Sequence, residues 1–252
     1  MDVFRGLLHD SGDPGRAVDL GAHRALLDRP DGWAVGPLVV GDERLSGLGE
    51  AQGSDVALSV LVGGGAGGVA ALARRAGDLR LVAVETVLRD LDDPAGNATR
   101  VVAAAAGLPD GVEVFVGVPA AHGTVDAVEV LEAAGLLGRI DVAGGGPGPR
   151  PAELLSVLVE ADLPFKVTGL GADPFGASGA VTVLMAVEAL IDGADPKDAE
   201  ALLSGVDRHR AGVALASWDE AASARVRRRL RGVDCVDVAS TLDQLDGAGL
   251  LR

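Results

Sequence analysis

A single lysine inside an apolar stretch is the residue of this chain best suited to chemistry. Residues 163–170 read LPFKVTGL, with Lys166 in the middle of a short run typical of a strand. Lys166 and Lys197 are the only lysines among 22 basic side chains, so arginine supplies nearly all of the positive charge. Because a buried lysine can lose its proton whereas arginine keeps its charge, Lys166 is a candidate nucleophile or base.

Three further side chains could act with Lys166 as acids or bases. Glu85 and Asp141 are carboxylates within predicted strands, and His122 lies in the loop after another predicted strand. Glu85 would either transfer protons or form an ion pair with Lys166, provided that the alternation of side chains along its strand points it inward. For each of the three, a solvated or purely structural role is the alternative.

A second group of residues has the chemistry to hold an anionic ligand. Gly64 and Gly65 belong to a glycine-rich loop before a predicted helix, where backbone N–H groups could approach an anion. Arg150 follows another glycine-rich segment and could bind a phosphate or carboxylate through two hydrogen bonds. Thr168 ends one predicted strand and Ser240 follows another, although a hydroxyl at a helix start commonly serves only as its N-cap.

Eight apolar segments alternate with helical patterns along the chain. Each has the length and composition of a parallel strand that is buried on both faces. The segments are residues 33–40, 56–62, 79–86, 112–118, 139–143, 164–168, 212–217 and 233–238. An opening amphipathic helix is predicted over residues 14–29, and Asp195 followed by Pro196 is typical of a helix start.

This alternation predicts an α/β fold, a single (β/α)8 TIM-barrel-like domain over residues 1–252 with an extra amino-terminal helix. An open doubly wound sheet is the alternative, which normally uses fewer strands. In a (β/α)8 barrel the site lies at the carboxyl ends of the strands, in the loops that follow them. Lys166 would then lie on the sixth strand, and the other candidates at the same end of the barrel.

Composition and charge exclude several classes of partner. Hydrophobic residues make up 48% and charged residues 23%, which is typical of a folded globular chain. A net charge of −15 disfavours nucleic acid and anionic membranes, so a small-molecule ligand is the expected partner and a homo-oligomer stays open. The chain has no apolar run of the ~20 residues that a membrane span needs and no secretory signal pattern, so we expect a cytoplasmic protein.

The sequence contains no motif for a metal or a cofactor. Its four histidines are far apart, and Cys235 is its one cysteine, expected as a small buried strand residue. The glycine-rich loops lack the GK[ST] ending of a Walker loop and the register of a dinucleotide fingerprint. A G-x-S-x-G nucleophile elbow is also missing. We therefore expect neither a metal nor a cofactor.

The segment from Lys166 to Gly169, KVTG, resembles the K-[TV]-[ST]-G strand of the deoxyribose-phosphate aldolases. In that group, and in class I aldolases generally, the lysine forms a Schiff base with a carbonyl substrate. The resemblance is short, and it implies lyase chemistry with Lys166 as the nucleophile. The aldolase pattern also has a second lysine on the next strand, whereas residues 212–217 contain none.

A longer resemblance covers residues 139–190. It is to a family of uncharacterised bacterial barrel proteins, common in actinomycetes, with strand motifs of approximately K-I-R-T-G-G and P-F-K-A-T-A-G-L-H-H. This chain matches at Lys166 and Thr168, has Asp141 and Val142 near the Arg-Thr pair of the pattern, and lacks the paired histidines. The resemblance implies a barrel and no particular reaction.

Two functions are open at this point. The chain could be a barrel enzyme with lyase or aldolase-type chemistry on a small carbonyl or anionic metabolite, using Lys166 as nucleophile or electrostatic anchor. It could instead be a catalytically degenerate barrel, a non-catalytic subunit or a small-molecule binding protein, in which an ion pair between Lys166 and Glu85 is structural.

Overall fold

Eight parallel strands pair in chain order, and the last pairs with the first, so that the sheet closes into a barrel. The computed structural model describes residues 2–12, 17–48, 55–75, 77, 79–119, 121–143 and 150–251. The strands are β1 (Leu8–Asp10), β2 (Val35–Gly41), β3 (Leu58–Leu61), β4 (Leu81–Val87), β5 (Glu113–Gly117), β6 (Leu137–Asp141), β7 (Phe165–Thr168) and β8 (Leu230–Cys235). The predicted (β/α)8 barrel is confirmed.

Helices surround this barrel, and aspartate side chains begin many of them. The helices are α1 (Leu20–Leu27), α2 (Gly65–Ala73), α3 (Pro94–Ala105), α4 (Thr124–Ala133), α5 (Pro151–Glu160), α6 (Ala180–Ile191), α7 (Pro196–Leu203), α8 (Arg208–Ala216), α9 (Glu220–Arg229) and α10 (Val238–Gly247). The N-cap carboxylates that accept a backbone N–H of the first turn are Asp19, Asp93, Asp195, Asp207, Asp219 and Asp237. Part of the acidic charge thus terminates helices, and the predicted start at Asp195 and Pro196 is confirmed. None of the described helices has both the length and the apolar character that crossing a membrane requires.

Two errors in the predicted strands cancel in the count of eight. The sequence pattern misses β1, which has only three residues. It also assigns a strand to residues 212–217, which lie in α8 and at its C-cap. Ala211 and Leu215, one helical turn apart, are the buried residues of α8, so the apolar run there has a helical period. Lys166 consequently lies on the seventh strand and not on the sixth.

The predicted opening helix is shorter and occupies another place in the fold. Residues 14–16 lie outside the described residues, and α1 begins at Leu20. Because β1 precedes it, α1 is the helix of the first βα unit and not an extra element. Within the described residues the element before β1 is a short 3-10 helix, Asp2–Phe4.

The inner and outer faces of the strands bury different kinds of side chain. Outward-facing residues such as Val84, Val167 and Val233 pack against the helices in the two large hydrophobic clusters. A separate apolar cluster, formed by Ala83, Phe115 and Leu137, joins the neighbouring strands β4, β5 and β6. Because side chains alternate along a strand, the residues two positions beyond the members of this cluster lie on the same face of the sheet. These residues, which include Glu85 and Arg139, bring charge into the barrel interior.

Candidate active site

Lys166 is fully buried inside the barrel, where carboxylates from two other strands meet it. Its Nζ atom donates a hydrogen bond to Glu85 Oε1 on β4 and lies 2.6 Å from Asp234 Oδ1 on β8. Strands β4 and β7 are not neighbours in the sheet, so these side chains can meet only across the lumen. Lys166 therefore points inward, and the predicted ion pair between Lys166 and Glu85 is confirmed.

Glu85 has more hydrogen-bond and ion-pair partners than Asp234. Its Oε1 also accepts a hydrogen bond from Ser59 Oγ at 2.6 Å, and its Oε2 accepts one from Arg139 Nε at 3.0 Å. Burial opposes ionisation, but Lys166 and Arg139 outweigh it and hold the pKa of the Glu85 carboxyl below its ordinary value. Glu85 is therefore the ionised anchor of both cations.

Asp234 has fewer partners than Glu85. Its Oδ1 forms the 2.6 Å ion pair with Lys166, and this oxygen has no other partner within the described residues. Burial raises the pKa of the Asp234 carboxyl to about 6, with Lys166 opposing the rise and the nearby charge of Glu85 adding to it. The same lysine thus contacts two carboxyls with opposite pKa displacements.

These four charged side chains, Glu85, Arg139, Lys166 and Asp234, form what we call the lumen cluster. Lys166 and Glu85 have no exposed surface, whereas 17% of the Arg139 side chain and 10% of the Asp234 side chain are exposed. Two cations face two carboxyls, which limits the cost of removing the charges from water. The exposed parts of Arg139 and Asp234 make them the members that a ligand entering the barrel would meet.

His9 on β1 occupies a slot next to the lumen cluster. A Cβ atom on Gly36 would lie 2.5 Å from His9 Cδ2, and a Cβ atom on Gly232 would overlap the imidazole, so glycine is needed on both flanks. His9 is 5% exposed, and its Nδ1 has no hydrogen-bond partner among the described residues. Burial and the charge of Lys166 hold the pKa of His9 well below its ordinary value, so the imidazole is neutral.

Thr168 and Asp141 lie at the mouth of the barrel, beyond the lumen cluster. Their Cα atoms are partners in the ladder between β6 and β7, and Thr168 is two residues beyond Lys166 on the same face. Thr168 is 4% exposed and donates to the Ile140 carbonyl at 3.4 Å. Asp141 is exposed and accepts the Ala143 N–H at 2.9 Å, which closes a turn. Among the described contacts, Asp141 forms no ion pair with Lys166.

His122 and Arg150 lie outside the lumen cluster. His122 is exposed in the loop between β5 and α4. Arg150 is exposed at the start of α5, where its side chain pairs with Glu153 at 3.1 Å and its N–H binds the same carboxylate. In the described part of the chain, neither residue forms an ion pair with a member of the lumen cluster.

Gly64, Gly65 and Ser240 all lie at the starts of helices. Gly64 is the N-cap of α2, and Gly65 has a φ of +59°, a conformation that favours glycine. The side chain of Arg89 packs against Gly65, so a Cβ atom there would lie 3.3 Å from Arg89 Cδ. Ser240 lies in the first turn of α10, where its N–H binds the N-cap Asp237. Asp237, and not a hydroxyl residue, thus caps α10.

The structure adds four side chains that the sequence argument does not select: Ser59, His9, Arg139 and Asp234. Arg139 and Asp234 lie inside predicted strands, and a charged residue between apolar neighbours on a buried strand is the same signal that selects Lys166. Ser59 carries no comparable signal because a serine is common on strands. His9 could not be found, since β1 is not predicted.

Among the described residues the lumen cluster belongs to no metal site, and two surface cavities lie away from it. In the described ranges, no group of three or more His, Cys, Asp and Glu side chains could hold a metal ion. A surface cavity of about 400 Å³ lies at the amino-terminal ends of β5 and β6, and another of about 570 Å³ lies between Arg5 and α9. Neither is lined by a member of the cluster. Cys235 is a buried free thiol at the end of β8, as expected.

Comparisons with known proteins return a distant structural likeness. No protein-family model matches the chain, and no curated protein matches it. Among solved structures, the chain is similar to "Yersinia pestis DHPS with pterine-sulfa conjugate Compound 16". The TM-score is 0.46 and the identity 15%, over 99% of this chain and 94% of the other.

Proposed function

We propose that this protein is a barrel enzyme with lyase or aldolase-type chemistry on a small carbonyl or anionic metabolite. Lys166 is the nucleophile, Glu85 holds it in place, and Arg139 binds the anionic end of the substrate. The proposal is carried by one observation, the fully buried Lys166 between carboxylates of two other strands. A small-molecule partner and a cytoplasmic location belong to the same proposal.

The energetics of the lumen support a functional reason for the cluster. Barrel interiors of this class are filled mainly by branched apolar side chains. Replacing a buried ion pair by well-packed apolar residues is often neutral or stabilising, so burying four charged groups is not an efficient way to stabilise a fold. Charged groups with displaced pKa values in a protein interior are more typical of functional sites.

Arg139 is better placed than Arg150 to bind an anion next to Lys166. Its Cα atom is the partner of the Lys166 Cα atom in the ladder between β6 and β7. One of its nitrogens is committed to Glu85, and part of the side chain remains exposed. A guanidinium has five N–H donors, so a carboxylate or phosphate could bind to those that Glu85 leaves free.

Reductive trapping tests the proposal. The protein is incubated with small aldehydes, ketones and 2-oxo acids together with borohydride, and the modified residue is located by mass spectrometry. We expect an adduct on Lys166 in the wild type and none there in Lys166→Met or in Lys166→Arg, which keeps the positive charge but cannot form an imine. Lack of an adduct at Lys166 across the panel would contradict the role as nucleophile.

The alternative function is a binding protein or non-catalytic subunit with a degenerate barrel. The observation that favours it is that Lys166 has no exposed surface and is already paired with both carboxylates. In that case small carbonyl compounds or anions bind to the protein, as calorimetry would show, but Lys166 is never trapped. Lys166→Arg would then leave the measured affinity for such a ligand unchanged.

A further inference from the structure

The two carboxylates beside Lys166 have unlike surroundings. Glu85 has no exposed surface and is held by Lys166, Arg139 and Ser59. Asp234 has an exposed part and has Lys166 as its ion-pair partner within the described residues. A carboxylate bound by three donors is held in its ionised form, whereas one with a single partner can take up and release a proton.

We propose that Asp234 is the catalytic residue that carries protons to and from Lys166, while Glu85 stays ionised and positions the lysine. This inference rests on the proposed function, in which Lys166 attacks a carbonyl carbon. The geometry behind it is the 2.6 Å separation between Lys166 Nζ and Asp234 Oδ1. Asp234 also lies one residue before the carboxyl end of β8, on the side from which a substrate would enter.

Asp234 can carry every proton that must move when Lys166 forms an imine with a carbonyl compound. Asp234 first takes a proton from the Lys166 ammonium, which leaves a neutral amine. The amine lone pair then forms a bond to the carbonyl carbon, the π electrons move to the carbonyl oxygen, and Asp234 protonates that oxygen. Asp234 next removes a proton from the nitrogen and gives it to the hydroxyl group. The C–O bond breaks, water leaves, and a protonated imine remains with Asp234 ionised again.

The groups around Asp234 suit this role. Lys166 on β7, Glu85 on β4 and Arg139 on β6 all act on its charge, and His9 on β1 is its Cα partner in the ladder. Burial, the largest effect, raises the pKa of Asp234 to about 6, so its carboxyl can exchange protons close to neutral pH. The neutral imidazole of His9, whose pKa burial lowers, does not compete as a cation.

The pH dependence of trapping on Lys166 tests the inference. The probe is glyoxylate with cyanoborohydride, and the rate of adduct formation is measured from about pH 5 to about pH 8. The variants are Asp234→Asn, Glu85→Gln and the control Glu129→Gln, whose carboxylate is exposed on α4. Circular dichroism establishes that each variant is folded.

In the wild type, the rate should fall as the pH drops through about 6, because Asp234 must be ionised to accept the proton. Asp234→Asn should lower the rate at neutral pH by roughly 100-fold and remove this dependence. Glu85→Gln should keep a pH dependence at a lower rate, with its midpoint moved to lower pH because the charge of Glu85 helps to raise the pKa of Asp234. Glu129→Gln should match the wild type. An Asp234→Asn variant with the wild-type rate and pH dependence would overturn the inference.

A measurement that needs no adduct separates this inference from the proposed function. The carboxyl carbons of the wild type are titrated by NMR, and the Asp234 signal is assigned by its loss in Asp234→Asn. A midpoint near 6 for Asp234, with Glu85 ionised throughout, supports the inference; any other assignment overturns it. If glyoxylate gives no adduct, the proposed function fails, and this titration alone decides whether Asp234 is the proton-exchanging member of the pair.

Discussion

Replacing Lys166 by methionine should destabilise the fold in a way that depends on pH. Met has a similar length but no charge, so Lys166→Met leaves Glu85 and Asp234 buried together without the cation between them. Breaking a buried ion pair by removing one partner typically costs about 3–5 kcal/mol. We expect a loss in this range at pH 8, because both carboxyls are ionised in the unfolded chain and the folded variant buries them without a cation between them.

The contribution of Asp234 to this loss can be worked out from its pKa. The pKa of Asp234 is about 6 in the folded chain, above the ordinary 3.8. Its contribution to the free energy of unfolding is therefore fully present below pH 3.8 and is lost as the pH rises from 3.8 to about 6. At 1.36 kcal/mol per pH unit, the decrease amounts to roughly 3 kcal/mol and ends near pH 6. Without Lys166, burial and Glu85 raise the pKa further, and the decrease continues toward roughly 6 kcal/mol at pH 8.

The difference between wild type and Lys166→Met should therefore shrink by up to about 3 kcal/mol between pH 8 and pH 5, where Asp234 is protonated in both. Urea denaturation followed by circular dichroism at the two pH values measures it. Lys197→Met is the matched control, because Lys197 is exposed on α7 and its loss should change stability by less than about 0.5 kcal/mol. A loss below about 1 kcal/mol at pH 8, or an equal loss at both pH values, would refute the ionisation pattern described for the cluster.

Three other substitutions test the surroundings of the cluster and the helix caps. Gly232→Ala should cost about 1–3 kcal/mol in urea denaturation, because its methyl group overlaps the His9 imidazole; adding His9→Ala should restore part of the loss. Ser59→Ala removes a hydrogen bond to a buried carboxylate and should cost about 1.5–3 kcal/mol at pH 8, and a neutral effect would contradict the bond to Glu85. Asp93→Ala should cost about 1 kcal/mol in thermal unfolding, because α3 loses its N-cap.

The sequence predicts the barrel well because most of its strands are apolar runs separated by helical patterns. It fails where an element is too short or its period is ambiguous. The three residues of β1 cannot show an alternation, and they form a strand because β2 and β8 pair with them. Residues 212–217 have the composition of a strand, but Asp207 caps a helix there and only one helical face is buried. Tertiary pairing, not local pattern, decides both segments.

The site is only partly predictable for a related reason. Lys166 stands out by its type and its apolar neighbours, and Glu85 follows as an inward carboxylate. Which other strands face Lys166 depends on closure of the barrel and on the register between strands, and a shift by one residue would turn every side chain to the other face. Asp234 lies on β8, the direct neighbour of β7, once the false strand at residues 212–217 is removed. The false strand, placed between the strands of Lys166 and Asp234, therefore concealed the second partner of Lys166.

The two pKa displacements bear on which of the two functions the lumen cluster serves. In a purely structural ion pair, both carboxyls would be held below their ordinary pKa, since each ionised group would then stabilise the fold at neutral pH. Glu85 behaves in this way, whereas the pKa of Asp234 is displaced to about 6, so that its ionisation weakens the fold as the pH rises toward that value. A carboxyl that titrates near neutral pH and thereby lowers the stability of the fold is expected where protons must be exchanged. Asp234 is thus the member of the cluster that favours the enzyme over the degenerate barrel.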